Sequence, residues 1–175
     1  MENLSLIIPS KREAESLPVF LQEIESLQVK KIIVLEKEDI ETKESIRQFK
    51  NIQIIEQINK GYGNALIEGI NSVNTEYCCI INADGSMDPK YLNQMLNECK
   101  NKDLVFGSRY LKPGGGSNDD DFITFIGNFF FTSLGNLLFK LNISDILYTY
   151  ILGKTISFKK LELNNADFRI CVELP

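Results

Sequence analysis

Short apolar runs alternate with longer amphipathic stretches over the first two-thirds of the chain. The runs lie at residues 4–8, 32–35, 52–55, 77–81 and 104–106. Each is three to five residues long and consists largely of aliphatic, aromatic or cysteine side chains, which is typical of strands buried on both faces. The stretches between them repeat apolar residues at intervals of three and four, which predicts helices. The alternation predicts an α/β fold with a mostly parallel central sheet and helices on both faces.

The predicted helices cover residues 16–27, 41–49 and 89–99, and a further one follows Gly63 with Leu66, Ile67 and Ile70 on one face. Ser16 is expected to cap the first of them, and Asp88 followed by Pro89 to start the last. In folds of this type, ligands bind beyond the carboxyl ends of the strands. The segments that follow the predicted strands are 9–13, 36–39, 57–63, 82–88 and 107–110, and most of the unusual residues of the chain fall within them.

After residue 111 the alternation of short apolar runs and amphipathic stretches ends. A glycine-rich and then acidic stretch at 112–121 is either a surface loop or a lid over a site. The next eighteen residues, Phe122–Phe139, carry no charge. Their apolar residues fall at helical spacing, which leaves open a helix packed in the core, a helix on a membrane surface and a membrane span. The residues at this spacing are Phe122, Phe125, Ile126, Phe129, Leu134, Leu137, Leu138 and Leu141, with Phe130 and Phe131 partly off the main face.

The amino-acid composition limits the types of catalytic and metal-binding groups that the chain can use. The chain has 175 residues, a formal net charge of −5 and no histidine. The negative charge is unlike that of nucleic-acid-binding proteins, and the missing imidazole excludes catalysis by Ser-His-Asp or Cys-His groups. Acid, base and metal chemistry then depends on carboxylates, for which Mg²⁺ or Mn²⁺ is the expected metal.

The four cysteines show no metal-binding or disulfide pattern, and they are expected to be buried thiols in a reducing compartment. The N-terminal sequence is too short and too acidic for a signal peptide. A cytoplasmic protein is predicted, with peripheral contact at the inner face of the plasma membrane if Phe122–Phe139 lies on a membrane.

The segment 82–89 ends the fourth predicted strand and holds the first candidate for chemistry. A carboxylate at this edge, Asp84, suits Mg²⁺ or Mn²⁺ shared with a diphosphate. The same residues also fit a plain strand-to-helix turn, with Gly85 at the bend and Asp88 as the cap. Both interpretations can hold together, with the metal role assigned to Asp84.

Five motifs follow one another at the predicted strand ends: Ile7-Ile8-Pro9-Ser10-Lys11-Arg12-Glu13, Ile32-Ile33-Val34-Leu35-Glu36, Asn59-Lys60-Gly61-Tyr62-Gly63-Asn64-Ala65, Asn82-Ala83-Asp84-Gly85-Ser86 and Gly107-Ser108-Arg109-Tyr110. In this order they resemble those of the family 2 glycosyltransferases, most closely the branch that transfers mannose or glucose to dolichyl or polyprenyl phosphate. The resemblance runs from Leu4 to about Phe158. It implies the GT-A nucleotide-sugar-binding fold and an inverting transfer of a hexose from a UDP- or GDP-linked donor.

The resemblance also implies a nucleotide-sugar pocket. Pro9 and Glu13 would line it, and Glu36 would contact the base or the ribose. The remaining predicted pocket residues are Ser10, Lys11, Lys60, Gly61, Asn82, Ala83 and Asp84. Lys11, Arg12 and Lys60 would add positive potential there.

The predicted catalytic residues are Asp84, Arg109 and Asp145. Asp84 matches the second aspartate of the family's Asp-X-Asp motif and, with Asn82, forms the predicted metal site. Arg109 would lie near the diphosphate, where it stabilises charge on the leaving group. Asp145, in a Ser-Asp motif near the acceptor, would act as a base for a sugar hydroxyl or as a loop cap; a lipid-phosphate acceptor needs no strong base.

The chain is interpreted as one domain, with a nucleotide-sugar-binding half at 1–110 and an acceptor half at 111–175 that is expected to be short at its C-terminus. The acceptor is expected to be a polyprenyl phosphate or a surface glycan. Two differences from the family pattern favour an alternative, a non-catalytic nucleotide-sugar-binding relative. Asn82 replaces the first metal-motif aspartate, and Thr149-Tyr150-Ile151 replaces a Gly-aromatic-Arg element.

Overall fold

The structure, a computed structural model, describes residues 1–111 and 122–175, and within α5 it describes side chains from residue 126 onward. The strands are β1 (Leu4–Ser10), β2 (Lys30–Leu35), β3 (Ile52–Glu56), β4 (Tyr77–Ile80), β5 (Leu104–Phe106) and β6 (Ile151–Lys154). The helices are α1 (Ser16–Glu23), α2 (Ile40–Ser45), α3 (Tyr62–Ser72), α4 (Leu92–Cys99) after a 3-10 turn (Pro89–Tyr91), α5 (Phe122–Phe139), α6 (Thr155–Lys159) and α7 (Ile170–Glu173). The predicted stretch 112–121 lies outside the described residues.

The described strands form one six-stranded sheet in the order β3-β2-β1-β4-β6-β5. The first four strands pair in parallel, as predicted from their apolar runs. Strand β6 was not predicted, and it inserts antiparallel between β4 and β5. Its Gly153 is required there, because a Cβ atom would collide with Leu104 on the neighbouring strand. Since β6 comes from the second half of the chain, the sheet does not divide at residue 110.

Two apolar layers cover the two faces of the sheet. On one face, α1 and α4 bury side chains such as Leu17, Phe20 and Leu92. On the other, α3 packs with the C-terminal helices through residues such as Leu66 and Phe158. Helices on both faces explain why the central strands are apolar without alternation. The fold-class prediction is therefore confirmed.

The predicted helix starts have different outcomes. Asp88 caps the 3-10 turn before α4, since its Oδ1 accepts a hydrogen bond from the backbone N–H of Lys90 at 2.9 Å. The prediction that Ser16 caps α1 is wrong, because the N-cap position is Glu15. The Ser16 hydroxyl donates instead to the carboxylate of Glu13, and so it helps to hold the loop that follows β1.

Helix α5 has its polar side toward the protein and its apolar side toward solvent. Asn128 and Thr132 are buried, whereas Phe129 is 67% exposed and Leu137 is 77% exposed. The other exposed large apolar residues of the helix are Ile126, Phe130, Phe131, Leu134, Leu138 and Phe139. Of the three alternatives left open for this segment, the core-packing helix is therefore wrong for the described side chains. None of the helices in the described part of the chain combines the length and apolarity that crossing a bilayer requires.

The reason for this orientation is a polar stripe along α5 that holds the segment 143–146. Asn136 accepts from the backbone N–H of Ile143 at 3.1 Å and donates to its carbonyl at 2.8 Å. Thr132 accepts from the backbone N–H of Ile146 at 3.1 Å. Buried backbone groups need such partners, so this non-repetitive segment selects the polar side of the helix.

The packing of α3 on the sheet gives a first testable prediction. A Cβ atom on Gly69 would lie 2.5 Å from Ile7 Cγ2 and 3.1 Å from Val34 Cγ2. Gly69→Ala should therefore lower the free energy of unfolding by about 1–3 kcal/mol, because the strands cannot move away. Gly127→Ala on α5 is the matched control. Nothing lies within 4 Å of its added methyl group, so helix propensity predicts a gain of up to about 1 kcal/mol. Urea denaturation measures both, and equal effects would contradict this packing.

Candidate active site

The loops after β1 and β2 and the loop before α3 meet through one carboxylate. Glu36 forms an ion pair with Lys11, with 2.8 Å between Glu36 Oε1 and Lys11 Nζ. The second oxygen of Glu36, Oε2, lies 3.9 Å from Lys60 Nζ. Lys60 also pairs with Glu38 at 3.5 Å. The structure thus brings three predicted pocket residues, Lys11, Glu36 and Lys60, into one cluster at the carboxyl edge of the sheet. The positive charge predicted for this edge is largely offset by the two glutamates.

The loop after β1 is held by residues that the sequence analysis did not single out. Asp39 accepts a hydrogen bond from the backbone N–H of Arg12 at 2.7 Å, and Thr42 accepts one from that of Glu13 at 3.0 Å. Arg12 has a positive φ of 57°, a conformation that needs such support. Partial burial would raise the pKa of Asp39, but the hydrogen bonds from Arg12 and Thr42 outweigh it and lower that pKa.

Three other predicted pocket residues lie at the ends of β1 and β4. Pro9 is half-buried, and Ser10 and Ala83 are buried. The Ser10 hydroxyl has no hydrogen-bond partner among the described residues. Glu13 uses a carboxylate oxygen to accept from Ser16. These four positions line the carboxyl edge of the sheet, and their contact with a nucleotide stays a prediction.

The two glycines at the start of α3, Gly61 as its N-cap and Gly63 in its first turn, are explained by packing. Side chains at Gly61 and Gly63 would collide with the backbone of Asn165 and Ala166. The backbone N–H of Asn64 donates to the Ala166 carbonyl at 3.2 Å, so the C-terminal segment covers the start of α3. The conformation of Gly61, with φ of 118°, also favours glycine. Its predicted role in nucleotide binding is therefore not needed to explain the residue.

Asp84 lies in a tight turn at the end of β4. Its Oδ1 accepts from the backbone N–H of Ser86 at 3.0 Å and from the Ser86 hydroxyl at 2.6 Å. Gly85 takes the positive φ of 81° that the turn requires. The carboxylate is exposed, and within the described part of the chain its Oδ2 accepts no hydrogen bond. One carboxylate oxygen is thus held and the other is available to a ligand.

The second member of the predicted metal site is less available. Asn82 Oδ1 accepts a weak hydrogen bond from the Tyr62 hydroxyl at 3.4 Å. Burial raises the pKa of Tyr62 to about 12, so this hydroxyl stays protonated. Among the described residues, no cluster of three or more Asp, Glu, Cys or His side chains could hold a metal ion. One carboxylate and one amide fit Mg²⁺ or Mn²⁺ only where a diphosphate supplies further oxygens.

Arg109 and Asp145 form a two-bond ion pair. The Arg109 Nε and Nη2 atoms donate to the two oxygens of Asp145 at 2.8 and 2.9 Å. Asp145 also accepts from the Arg109 backbone N–H at 3.2 Å and from Asn128 Nδ2 at 2.9 Å. The side chain of Asp145 is fully buried and that of Arg109 is 19% exposed. Both oxygens of Asp145 are therefore committed, which favours a positioning role for this residue over the role of a base.

Two tyrosines, Tyr148 and Tyr150, contact the turn that carries Asp84. The Tyr148 hydroxyl donates to the Ser86 carbonyl at 2.7 Å, and the Tyr150 hydroxyl donates to the Asp88 carbonyl at 2.9 Å. An open cavity of about 600 Å³ borders Ser86, Arg109 and Tyr148. The sequence analysis named Tyr150 only within the element that departs from the family pattern, and it missed Tyr148, because no local pattern separates this residue from core aromatics.

Comparison with known proteins identifies the family to which the chain belongs. Residues 5–162 match Glycosyl transferase family 2. The chain belongs to the family 2 glycosyltransferases. The resemblance seen in its strand-end motifs is thereby confirmed, while its assignment to the polyprenyl-phosphate branch stays a prediction.

The curated relatives are themselves uncharacterized glycosyltransferases. Those from Mycobacterium bovis and Mycobacterium tuberculosis are 29% identical to this chain over 107 residues. That alignment covers 61% of this chain and 48% of each relative. The family 2 chain described here thus spans about half the length of the curated relatives that it matches.

Solved structures agree on the fold. The glucosyl-3-phosphoglycerate synthase of Mycobacterium tuberculosis, in complex with Mn²⁺, UDP and glucosyl-3-phosphoglycerate, superimposes with a TM-score of 0.73. It is 13% identical, over 97% of this chain and 62% of that one. The mannosyl-3-phosphoglycerate synthase of Rubrobacter xylanophilus gives a TM-score of 0.68 at 15% identity, over 89% of this chain and 54% of that one. At these identities the likeness establishes the GT-A fold alone.

The structural role of Asp145 as the partner of Arg109 can be tested by measuring the free energy of unfolding. Asp145→Asn should lower the free energy of unfolding by about 3 kcal/mol, because it removes the buried carboxylate that accepts two hydrogen bonds from the largely buried guanidinium of Arg109. Asp103→Asn, which removes the carboxylate of an exposed ion pair with Lys154, is the control and should have little effect. Denaturant unfolding measures both. Full stability of Asp145→Asn together with abolished turnover would instead support a base.

Proposed function

We propose that this chain carries an inverting hexosyltransferase activity that moves a hexose from a UDP- or GDP-linked donor to a polyprenyl phosphate on a membrane. The family match supports glycosyl transfer. The observation that carries the assignment to particular residues is the meeting of Asp84 and Arg109 around one tyrosine: Tyr148 contacts Ser86 in the Asp84 turn and lies beneath the Arg109 guanidinium.

In the proposed reaction, the bond between the sugar C1 and the donor phosphate breaks, and the nucleoside diphosphate leaves with the bonding electrons. An acceptor oxygen forms the new bond to C1 from the opposite face. Negative charge grows on the diphosphate as it leaves, so positively charged groups near it lower the barrier. Arg109 would bring a guanidinium to this charge; Asp145 fixes its orientation and offsets part of its positive charge.

Mg²⁺ or Mn²⁺, bound between Asp84 and the donor, would neutralise charge on the diphosphate. The residues fit such an ion, because Asp84 keeps one oxygen free while Ser86 holds the other. Asn82 would add at most a neutral amide oxygen. The solved neighbours that contain Mn²⁺ with UDP-glucose support this choice of metal and donor.

The exposed apolar side of α5 supports a membrane-borne acceptor. Its opposite side contacts Asp145, the partner of Arg109, through Asn128, so the helix that carries the apolar side chains also packs on the Arg109 site. A lipid phosphate needs no proton removed before it attacks, which agrees with an Asp145 that is committed to Arg109. We therefore place the protein at the cytoplasmic face of a membrane, with α5 as the contact. A surface-glycan acceptor, unlike a lipid phosphate, would need a base to remove the proton from its attacking hydroxyl group.

A non-catalytic nucleotide-sugar-binding protein is the second candidate. Asn82 favours it, since an amide replaces a charged metal ligand. The pairing of Lys11 and Lys60 with glutamates also favours it, because these lysines then add little net charge at the donor site.

Turnover separates the two candidates. Nucleoside diphosphate release from UDP- and GDP-hexoses should require Mn²⁺ and polyprenyl phosphate, and chelation by EDTA should abolish it. Asp84→Asn keeps an oxygen for the turn but loses the charge, so kcat/KM should fall by about 100-fold or more. Asp103→Asn should retain full activity. Donor binding without turnover for every acceptor tested would favour the non-catalytic protein.

The membrane contact has its own test. The protein should float with phospholipid vesicles, and Phe130→Glu with Leu137→Glu should abolish flotation, because charge opposes burial of the α5 face. Val19→Glu, at an equally exposed apolar position on α1, should still float. Recovery of the unaltered protein in the soluble fraction would contradict the proposed contact.

A further inference from the structure

Tyr148 lies between the two parts of the proposed donor site. Its hydroxyl donates to the Ser86 carbonyl at 2.7 Å. The centre of its ring is 5.1 Å from the Arg109 guanidinium carbon. One side chain therefore contacts both the turn that carries Asp84 and the predicted diphosphate-binding arginine.

The Ser86 contact controls the direction of Asp84. Ser86 holds Asp84 Oδ1 through both its backbone N–H and its hydroxyl. The tip of the turn, at Asp84, Gly85 and Ser86, is exposed, and nothing lies within 4 Å of the position that a Cβ of Gly85 would occupy. Ala83 and Met87 on either side of this tip are buried. The hydrogen bond to the Ser86 carbonyl is thus a contact that ties the exposed tip to the rest of the molecule.

The ring of Tyr148 acts on Arg109 from a direction that Asp145 does not cover. Asp145 holds the guanidinium through its Nε and Nη2 edge. An aromatic ring at about 5 Å contributes attraction from its face and restricts movement out of the guanidinium plane. The Tyr110 ring also lies 5.3 Å from the guanidinium carbon, but Tyr148 is the one of these two tyrosines that also bonds to Ser86.

Tyr150 offers a natural comparison. Its hydroxyl also donates to a backbone carbonyl near the turn, that of Asp88 at 2.9 Å. Tyr150 is buried, and its ring packs edge-on against Tyr148 with centroids 6.1 Å apart. No contact joins it to Arg109 among the described interactions, so it shares the chemistry of Tyr148 without its bridging position.

We infer that Tyr148 is a positioning residue for the donor diphosphate, because it sets the spacing between the Asp84 carboxylate and the Arg109 guanidinium. This inference deepens the proposed function and rests on it. The family motif analysis gave no reason to select Tyr148. Burial raises the pKa of Tyr148 to about 12, so its hydroxyl remains a hydrogen-bond donor at any ordinary assay pH.

Three variants test the inference. Tyr148→Phe removes the bond to Ser86 and keeps the ring under Arg109, and it should raise the donor KM about fivefold with little change in kcat. Tyr148→Leu removes both contacts and should raise KM further and lower kcat. Tyr150→Phe loses an equivalent hydrogen bond and should change KM less than twofold.

A second readout does not depend on turnover. Hydrogen–deuterium exchange in the protein without ligand should be faster at residues 84–86, around the Ser86 contact, in Tyr148→Phe than in the unaltered protein or in Tyr150→Phe, which loses a bond at Asp88 instead. Equal KM values and equal exchange in the two phenylalanine variants would overturn the inference. If the unaltered protein neither turns over nor binds a nucleotide sugar, the proposed function fails; the exchange comparison still decides whether Tyr148 holds the turn.

Discussion

The buried ion pair between Arg109 and Asp145 is the constraint on which the second half of the molecule depends. A carboxylate without solvent access needs several donors, and Asp145 takes them from the side chain and backbone of Arg109 and from Asn128. This requirement joins the end of β5, the segment 143–146 and α5. It also explains why α5 directs its polar stripe inward, since an apolar side there would leave buried polar groups without partners.

The contacts of α5 with Asp145 also determine which side of this helix is exposed to solvent. Because the inner side of α5 serves Asp145, the apolar residues of the helix are left outside, where Phe129 and Leu137 are exposed. Scattered apolar residues are normal on protein surfaces, but a contiguous helical face of this kind indicates a binding surface. In the proposed function, that surface meets the membrane that holds the acceptor.

The electrostatics of the carboxyl edge of the sheet depend on local ion pairs more than on the net charge of the chain. The chain has a net charge of −5, and the lysines at the carboxyl edge of the sheet are largely paired with Glu36 and Glu38. In the proposed function, the donor site therefore depends on a few oriented groups and not on a general positive field. Asp84 and Arg109 would be those groups, and Ser86, Asp145 and Tyr148 contact them.

The sequence by itself determined the five apolar strands, the helices on both faces and the strand ends where Asp84 and Arg109 lie. These follow from local hydrophobic periodicity and from the rule that parallel strands end at one edge. Only the tertiary structure decided the insertion of β6, the inverted orientation of α5 and the role of Tyr148. Each of these depends on partners distant in the sequence, such as the carbonyl of Ser86, and periodicity along a chain carries no record of them.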